Sequence, residues 1–121
     1  MATTGLSPDP GEYRKRLDDQ PDEQIDAWAA ELMRDIAIRR GVLKVIADFR
    51  KATSLDERQF ERVFASGGGP PAAIGRDGNG RLMVPAVTLH ALVPGIRSQR
   101  PDGRARLIEY LVLNFGELVY V

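Results

Sequence analysis

The stretch that decides the fold is DEQIDAWAAELMRDIAIRRGVLKVIADFRKA, residues 22–52. Within it Ile25, Trp28, Ala29, Leu32, Met33, Ile36 and Ala37 recur at three- and four-residue steps, the stripe of an amphipathic helix. Pro21 stands where a first helical turn tolerates it. Asp22, Glu23 and Asp26 put negative charge near the positive end of the helix dipole, and Arg39 and Arg40 lie near the other end. These signals predict a helix over about 21–40.

Beyond Gly41, Val42, Leu43, Val45, Ile46 and Phe49 keep helical spacing, but on one continuous wheel their mean direction is turned by roughly a hundred degrees. An unbroken helix to Ala52 would be about 45 Å long, against roughly 35 Å for the diameter of a compact domain of this size. Gly41 is the natural break, which predicts a second helix over about 42–52. Were the helix continuous, a second copy of the chain would be the simplest cover for its overhang.

Downstream, Ser54 with Glu57 fits a capping box, so a third helix is expected over about 55–65 with Phe60, Val63 and Phe64 buried. Gly67 to Pro71 then stops it. The turn-rich Arg76, Asp77, Gly78, Asn79 and Gly80 predict a small hairpin over about 72–84. Thr88 to Val93 suit a short helical turn ended by Pro94 and Gly95. Asp102 is placed to cap a helix over about 103–115, with Gly116 as its left-handed stop and a terminal strand over 117–121. A strand–turn–strand reading around Pro101 to Gly103 competes. The helix is preferred because Leu107 and Ile108 repeat as Leu111 and Val112 four residues on. Upstream, Glu12 to Leu17 suit a short helical turn, and residues 1–10 are expected to form a flexible tail ahead of one globular domain over 11–121. The fold class expected is α+β, mostly helical.

At 121 residues the chain is of one-domain size, with 43% apolar and 28% charged residues, a globular composition rather than a disordered or fibrous one. Cysteine is absent, which excludes disulfides, thiolate metal sites and a thiol nucleophile. The first nine residues lack the basic and apolar regions of a signal peptide, and no run approaches 18 apolar residues, so a cytoplasmic protein without membrane contact is expected. Arginine outnumbers lysine 14 to 3, a bias that fits a prokaryotic source of high GC content or heat adaptation and bears on composition rather than activity.

Lys and Arg total 17 and so do Asp and Glu, so net charge names no partner. Its distribution says more. Up to Asp35 there are nine acids and four bases, leaving the remainder with an equal and opposite excess. Arg76, Arg81, Arg97, Arg100, Arg104 and Arg106 fall at turns and helix starts, and guanidinium forks suit phosphates or carboxylates. They are the candidate anion- or nucleic-acid-binding residues. The plainer reading pairs them with the acidic helix, in the same molecule or in a partner copy, and it is preferred.

His90 is the single histidine and sits among apolar neighbours, which favours a structural role over a general base. No Gly-x-Ser-x-Gly elbow and no Gly–Lys pair exists. Gly67 to Gly69 follow a helix instead of opening one, the wrong order for a dinucleotide loop. Asp77 to Gly80 lack the later ligands of a calcium loop, and Asp18, Asp19, Asp22, Glu23 and Asp26 serve as a solvated helix start better than as a metal cluster. No catalytic residue, metal ligand or cofactor is therefore assigned.

Ile25, Trp28, Leu32, Met33 and Ile36 are the candidate partner face, although aromatic and Met residues at this spacing more often form core. The leading functional expectation is a non-enzymatic protein-interaction or regulatory module acting as a homodimer. A nucleic-acid-binding module that uses the arginine-rich second half is the alternative. A small enzyme using His90 on an anionic substrate comes third.

Overall fold

The computed structural model describes residues 9–119. Helix α1 runs Pro10–Asp18, α2 Asp22–Arg40, α3 Val42–Thr53 and α4 Glu57–Ser66. A 3-10 turn at Pro71–Ala73 leads into β1, Gly75–Arg76, and β2, Leu82–Met83. A 3-10 helix at Ala86–Ala91 is followed by α5, Leu92–Gln99, then α6, Gly103–Leu113, and α7, Phe115–Val119. The fold is thus mostly helical α+β. No helix among the described residues is long and apolar enough to cross a membrane.

The break between α2 and α3 falls at Gly41, whose φ of 99° is one that side-chain-bearing residues rarely adopt. Bent there, both apolar stripes reach one core. Ile25, Ala29, Leu32, Met33 and Ile36 from α2 meet Val45, Ile46 and Phe49 from α3. Helix α6 packs against α1, α2, α3 and α5, and brings Tyr110 to within 6.1 Å of Phe49, ring centroid to centroid. Phe60 of α4 approaches Phe49 edge-on at 6.2 Å, so the aromatic cluster joins three helices. Each such fully buried side chain contributes about 1.5–3 kcal/mol relative to exposure.

Helices α4 and α5 pack closely enough to demand glycine. A Cβ on Gly95 would stand 1.8 Å from the Val63 carbonyl oxygen, and one on Gly67 1.7 Å from that of Ala91. The Gly–Pro loop therefore does more than end a helix: Gly67 is where the two backbones touch.

Several boundaries differ from the sequence reading. Of the expected tail, Asp9 and Pro10 instead start α1, where the Asp9 carboxylate accepts from the Gly11 amide at 2.9 Å and Pro10 occupies the first helical position; residues 1–8 lie outside the described chain. Pro21 caps α2 without entering it.

The capping box is built by Asp56 and Gln59 rather than Ser54 and Glu57. Helix α3 runs on to Thr53 and uses Ser54, at φ 59°, for its left-handed exit, so Ser54 is not free to start α4.

The hairpin is shorter than 72–84 because Ala72 and Ala73 belong to the 3-10 turn. Its register pairs Gly75 with Met83 and Arg76 with Leu82. The Asp77 carboxylate fixes the turn by accepting from the amides of Asn79 and Arg81 at 2.8 and 2.9 Å.

Pro94 and Gly95 do not terminate a helix but lie inside α5. Pro94 is its third residue, where a missing amide proton costs nothing. Asp102 precedes α6 without a side-chain cap bond, because its carboxylate is taken by Arg100 and Arg106.

Gly116 sits within α7 and does not stop α6 in a left-handed turn; Asn114 ends α6. The terminal strand expected over 117–121 is helical as far as Val119, with Tyr120 and Val121 outside the described residues. A short apolar run does not distinguish strand from helix by period. In the helical conformation the Glu117 carboxylate meets Arg39 at 3.2 Å and Arg40 at 3.5 Å at the end of α2.

Candidate functional site

The six arginines do not converge. Arg97 projects from α5 to Asp26 of α2, with Nη2 at 2.7 Å from Oδ1 and Nε at 2.9 Å, and reaches Asp22 at 3.4 Å. Arg104 binds Asp22 at 2.7 Å through Nη1. Its Nη2 donates to the carbonyls of Leu17, Asp18 and Gln20 at 3.3, 3.0 and 2.7 Å. It therefore caps the end of α1, where the helix dipole favours a cation. The Arg104 hydrogen bond, reinforced by the charge of Arg97, holds the Asp22 carboxyl below its ordinary value.

Arg100 donates through Nε to Asp102 at 3.2 Å and through Nη1 to the Thr53 carbonyl at 3.1 Å, at the end of α3. Arg106 takes the other oxygen of Asp102 at 2.9 Å. The Arg106 bond and then the Arg100 charge lower the Asp102 pKa. Arg76 binds Glu57 and the Gly80 carbonyl, and its Nη2 lies 3.9 Å from Glu61. Arg81 makes no side-chain ion pair within 4 Å among the described residues. Five of the six thus join acidic groups of the same chain, and the cluster at Asp18 to Asp26 is the counter-charge for two of them.

The five-residue partner face also divides. Ile25, Leu32, Met33 and Ile36 lie in the core, and Trp28 alone stays 37% exposed. Among the described residues the other large apolar side chains left in solvent are Ile38 at 74%, Val87 at 79% and Leu113 at 41%. Sequence reading missed Ile38. The signal was present in the helical wheel: Ala27, Glu31, Arg34 and Ile38 form a line on α2 opposite its buried stripe, and all four are exposed.

Beside this line lies a cleft of about 310 Å³ between α2 and the 3-10 helix at 86–91, lined by Ala27, Ala30, Glu31, Arg34, Val87 and His90. Val87 overhangs it. His90 is exposed and donates from Nδ1 to the Val87 carbonyl at 3.0 Å, so its own turn holds the ring. Neither Glu31 nor Arg34 has an ion-pair partner within 4 Å among the described residues. Among these residues no group of three or more metal-capable side chains is assembled.

The buried Thr53 and Asn114 side chains donate to the carbonyls four residues back, of Phe49 at 2.6 Å and Tyr110 at 3.1 Å. Their hydrogen bonding is local to the helices that carry them. The chain matches no known family model, no curated protein and no solved structure.

Proposed function

We propose that this chain is a cytoplasmic, non-enzymatic protein-interaction module that acts as a homodimer through the outer line of α2. The observation that carries this reading is the self-complementarity of that line. When two copies of α2 lie antiparallel about a two-fold axis, the register that sets Glu31 against Arg34 of the other copy also sets Ala27 against Ile38. Acid meets base and small meets large, each contact occurring twice, as an isologous interface requires. In the same register Ala30 faces Asp35, both only partly buried in the single chain.

Three turns of helix span about 16 Å, less than the roughly 800 Å² per partner of a standard interface requires. Val87 and the 3-10 helix flanking the line supply the remaining contact. Covering Ile38, now 74% exposed, contributes on the order of 1.5–3 kcal/mol per copy. Each exposed Glu–Arg pair adds about 0.2–1 kcal/mol. These contributions together reach about 3.4–8 kcal/mol before ordering costs, short of the about 8.2 kcal/mol of a 1 μM complex, so burial of Val87, now 79% exposed, has to supply the rest of a micromolar association.

Two arguments for dimerisation drawn from the sequence no longer contribute. The bend at Gly41 removes the helix overhang, and the opposed charges are largely paired within one chain. The outer line of α2 replaces them. Sedimentation equilibrium across the micromolar range tests the reading: the wild-type chain is expected to pass from monomer to dimer, and Ile38→Asp to remain monomeric with unchanged thermal stability. A wild-type chain that stays monomeric, or an Ile38→Asp variant that dimerises equally well, overturns it.

A further inference from the structure

On the far side of α4 from the hairpin ion pair of Arg76 and Glu57, a small cleft of about 120 Å³ opens between α4 and the end of α5. Its lining is Leu55, Gln59, Arg62, Val63, Gln99 and Arg100, with no carboxylate among them. We propose that this cleft binds a phosphate-sized tetrahedral oxyanion, as inorganic phosphate or as the end of a phosphomonoester.

Three donors support the assignment. Arg62 has no ion pair or hydrogen bond from its guanidinium among the described residues, so its whole donor fork is available. Arg100 is pinned by Nε on Asp102 and Nη1 on the Thr53 carbonyl, which leaves Nη2 unused on a guanidinium that is already immobilised. Such preorganisation removes most of the side-chain ordering cost of binding. Gln59 uses Oε1 to accept from the Asp56 amide at 2.9 Å, so its amide nitrogen remains a free donor.

The two nearby acids Asp56 and Asp102 are hydrogen-bonded to residues of the lining and are not themselves part of it. Asp56 accepts from the Gln59 amide at 2.7 Å, and Asp102 is shared between Arg100 and Arg106. Arg58, one turn before Arg62 on α4, has no ion-pair partner within 4 Å among the described residues and adds to the positive field. The cleft is open on one side and has room for a tetrahedral anion between these donors. Guanidinium forks matched to such oxygens form charge-assisted bonds, roughly twice as strong as neutral ones.

These residues are separate from the outer line of α2, so the two proposals fail independently. The test is a ¹⁵N-resolved NMR titration of the full chain with inorganic phosphate and with phenyl phosphate, each at constant ionic strength against chloride. Saturable shifts are expected at the amides of Arg62, Gln99 and Arg100, with the tighter of the two ligands identifying the free anion or the ester. Arg62→Gln is expected to weaken binding about tenfold or more, and Arg81→Gln, on the hairpin, to leave it unchanged. No saturable shift beyond that of chloride, or equal weakening by the two substitutions, overturns the proposal. Arg62 has no partner to lose among the described residues, so the Arg62→Gln chain is expected to unfold at the wild-type temperature, and loss of binding would report the site itself.

Discussion

Replacing Gly95 by Ala adds one methyl group where α4 and α5 touch. That methyl carbon would sit 1.8 Å from the backbone oxygen of Val63 and 3.0 Å from its Cγ1. Nonbonded atoms pack best near 3.5 Å, so the helices must separate by roughly 1.5 Å, and a backbone oxygen cannot rotate out of the way. Val63, Phe64, Leu92 and Ile96 would then lose close packing along the seam. The damage resembles a core truncation, about 2–5 kcal/mol, partly offset by about 1 kcal/mol from the better helix propensity of Ala. A net loss of about 3 kcal/mol is expected.

For a chain of 121 residues, with an unfolding entropy of about 2.1 cal/mol/K per residue, that loss lowers Tm by roughly 12 °C. Calorimetry and urea titration read it directly. Gly116→Ala provides the opposite control, because a Cβ there meets no heavy atom within 4 Å and the site lies in α7; a gain of about 0.5–1 kcal/mol is expected. Stability of Gly95→Ala within about 0.5 kcal/mol of wild type would refute the close approach of α4 and α5.

Further expectations concern single polar groups. Asp56→Ala removes the capping box of α4 and should cost about 1 kcal/mol in urea titration. Tyr110 is wholly buried and its hydroxyl has no hydrogen-bond partner among the described residues, so Tyr110→Phe should be neutral or stabilising by up to about 1 kcal/mol, against a clear loss if that hydroxyl had a structural partner. The carboxyls of Asp22, Glu57 and Asp102 lie below their ordinary values because of arginine partners, so the folded chain binds protons less readily than the unfolded one. Their contribution is present above the ordinary range near pH 4 and is lost as pH falls below it; denaturation at pH 6 and pH 3 should show the decline, reduced by added salt. Burial pushes the Tyr13 phenol up to about 12, although Arg16 opposes the rise. Its contribution should hold below pH 10 and disappear as pH rises toward 12, with late ionisation visible by ultraviolet absorbance.

The helices were legible wherever apolar spacing and breaks agreed. The stripe from Ile25 to Ala37 and the turn of direction at Gly41 together specify α2, α3 and the bend between them. The ends were less legible because neighbouring signals overlap: Ser54 and Asp56 both begin capping patterns, and α3 consumes the first. Pro94 and Gly95 read as a stop because sequence spacing does not show that Gly95 lies against Val63. The charge asymmetry was visible, but its resolution was not, since Arg104 and Asp22 are 82 residues apart. The same distance effect hid the Arg62–Arg100 cleft. Arg62 is one of many arginines until α5 is folded against α4. Ile38 was not legible because the strongest apolar stripe runs along the opposite side of α2, whereas the outer line is distinguished by what the fold leaves uncovered.

The most direct test of the account is charge reversal on that line, followed by sedimentation at several micromolar concentrations. Glu31→Arg alone and Arg34→Glu alone each set like charges against one another twice in the antiparallel register, and both variants are expected to be monomeric. The double variant E31R/R34E restores opposite charges across the axis and is expected to dimerise as the wild type does. Equal dimerisation by both single variants, or a double variant as monomeric as either, would contradict the proposed pairing of α2 with its copy.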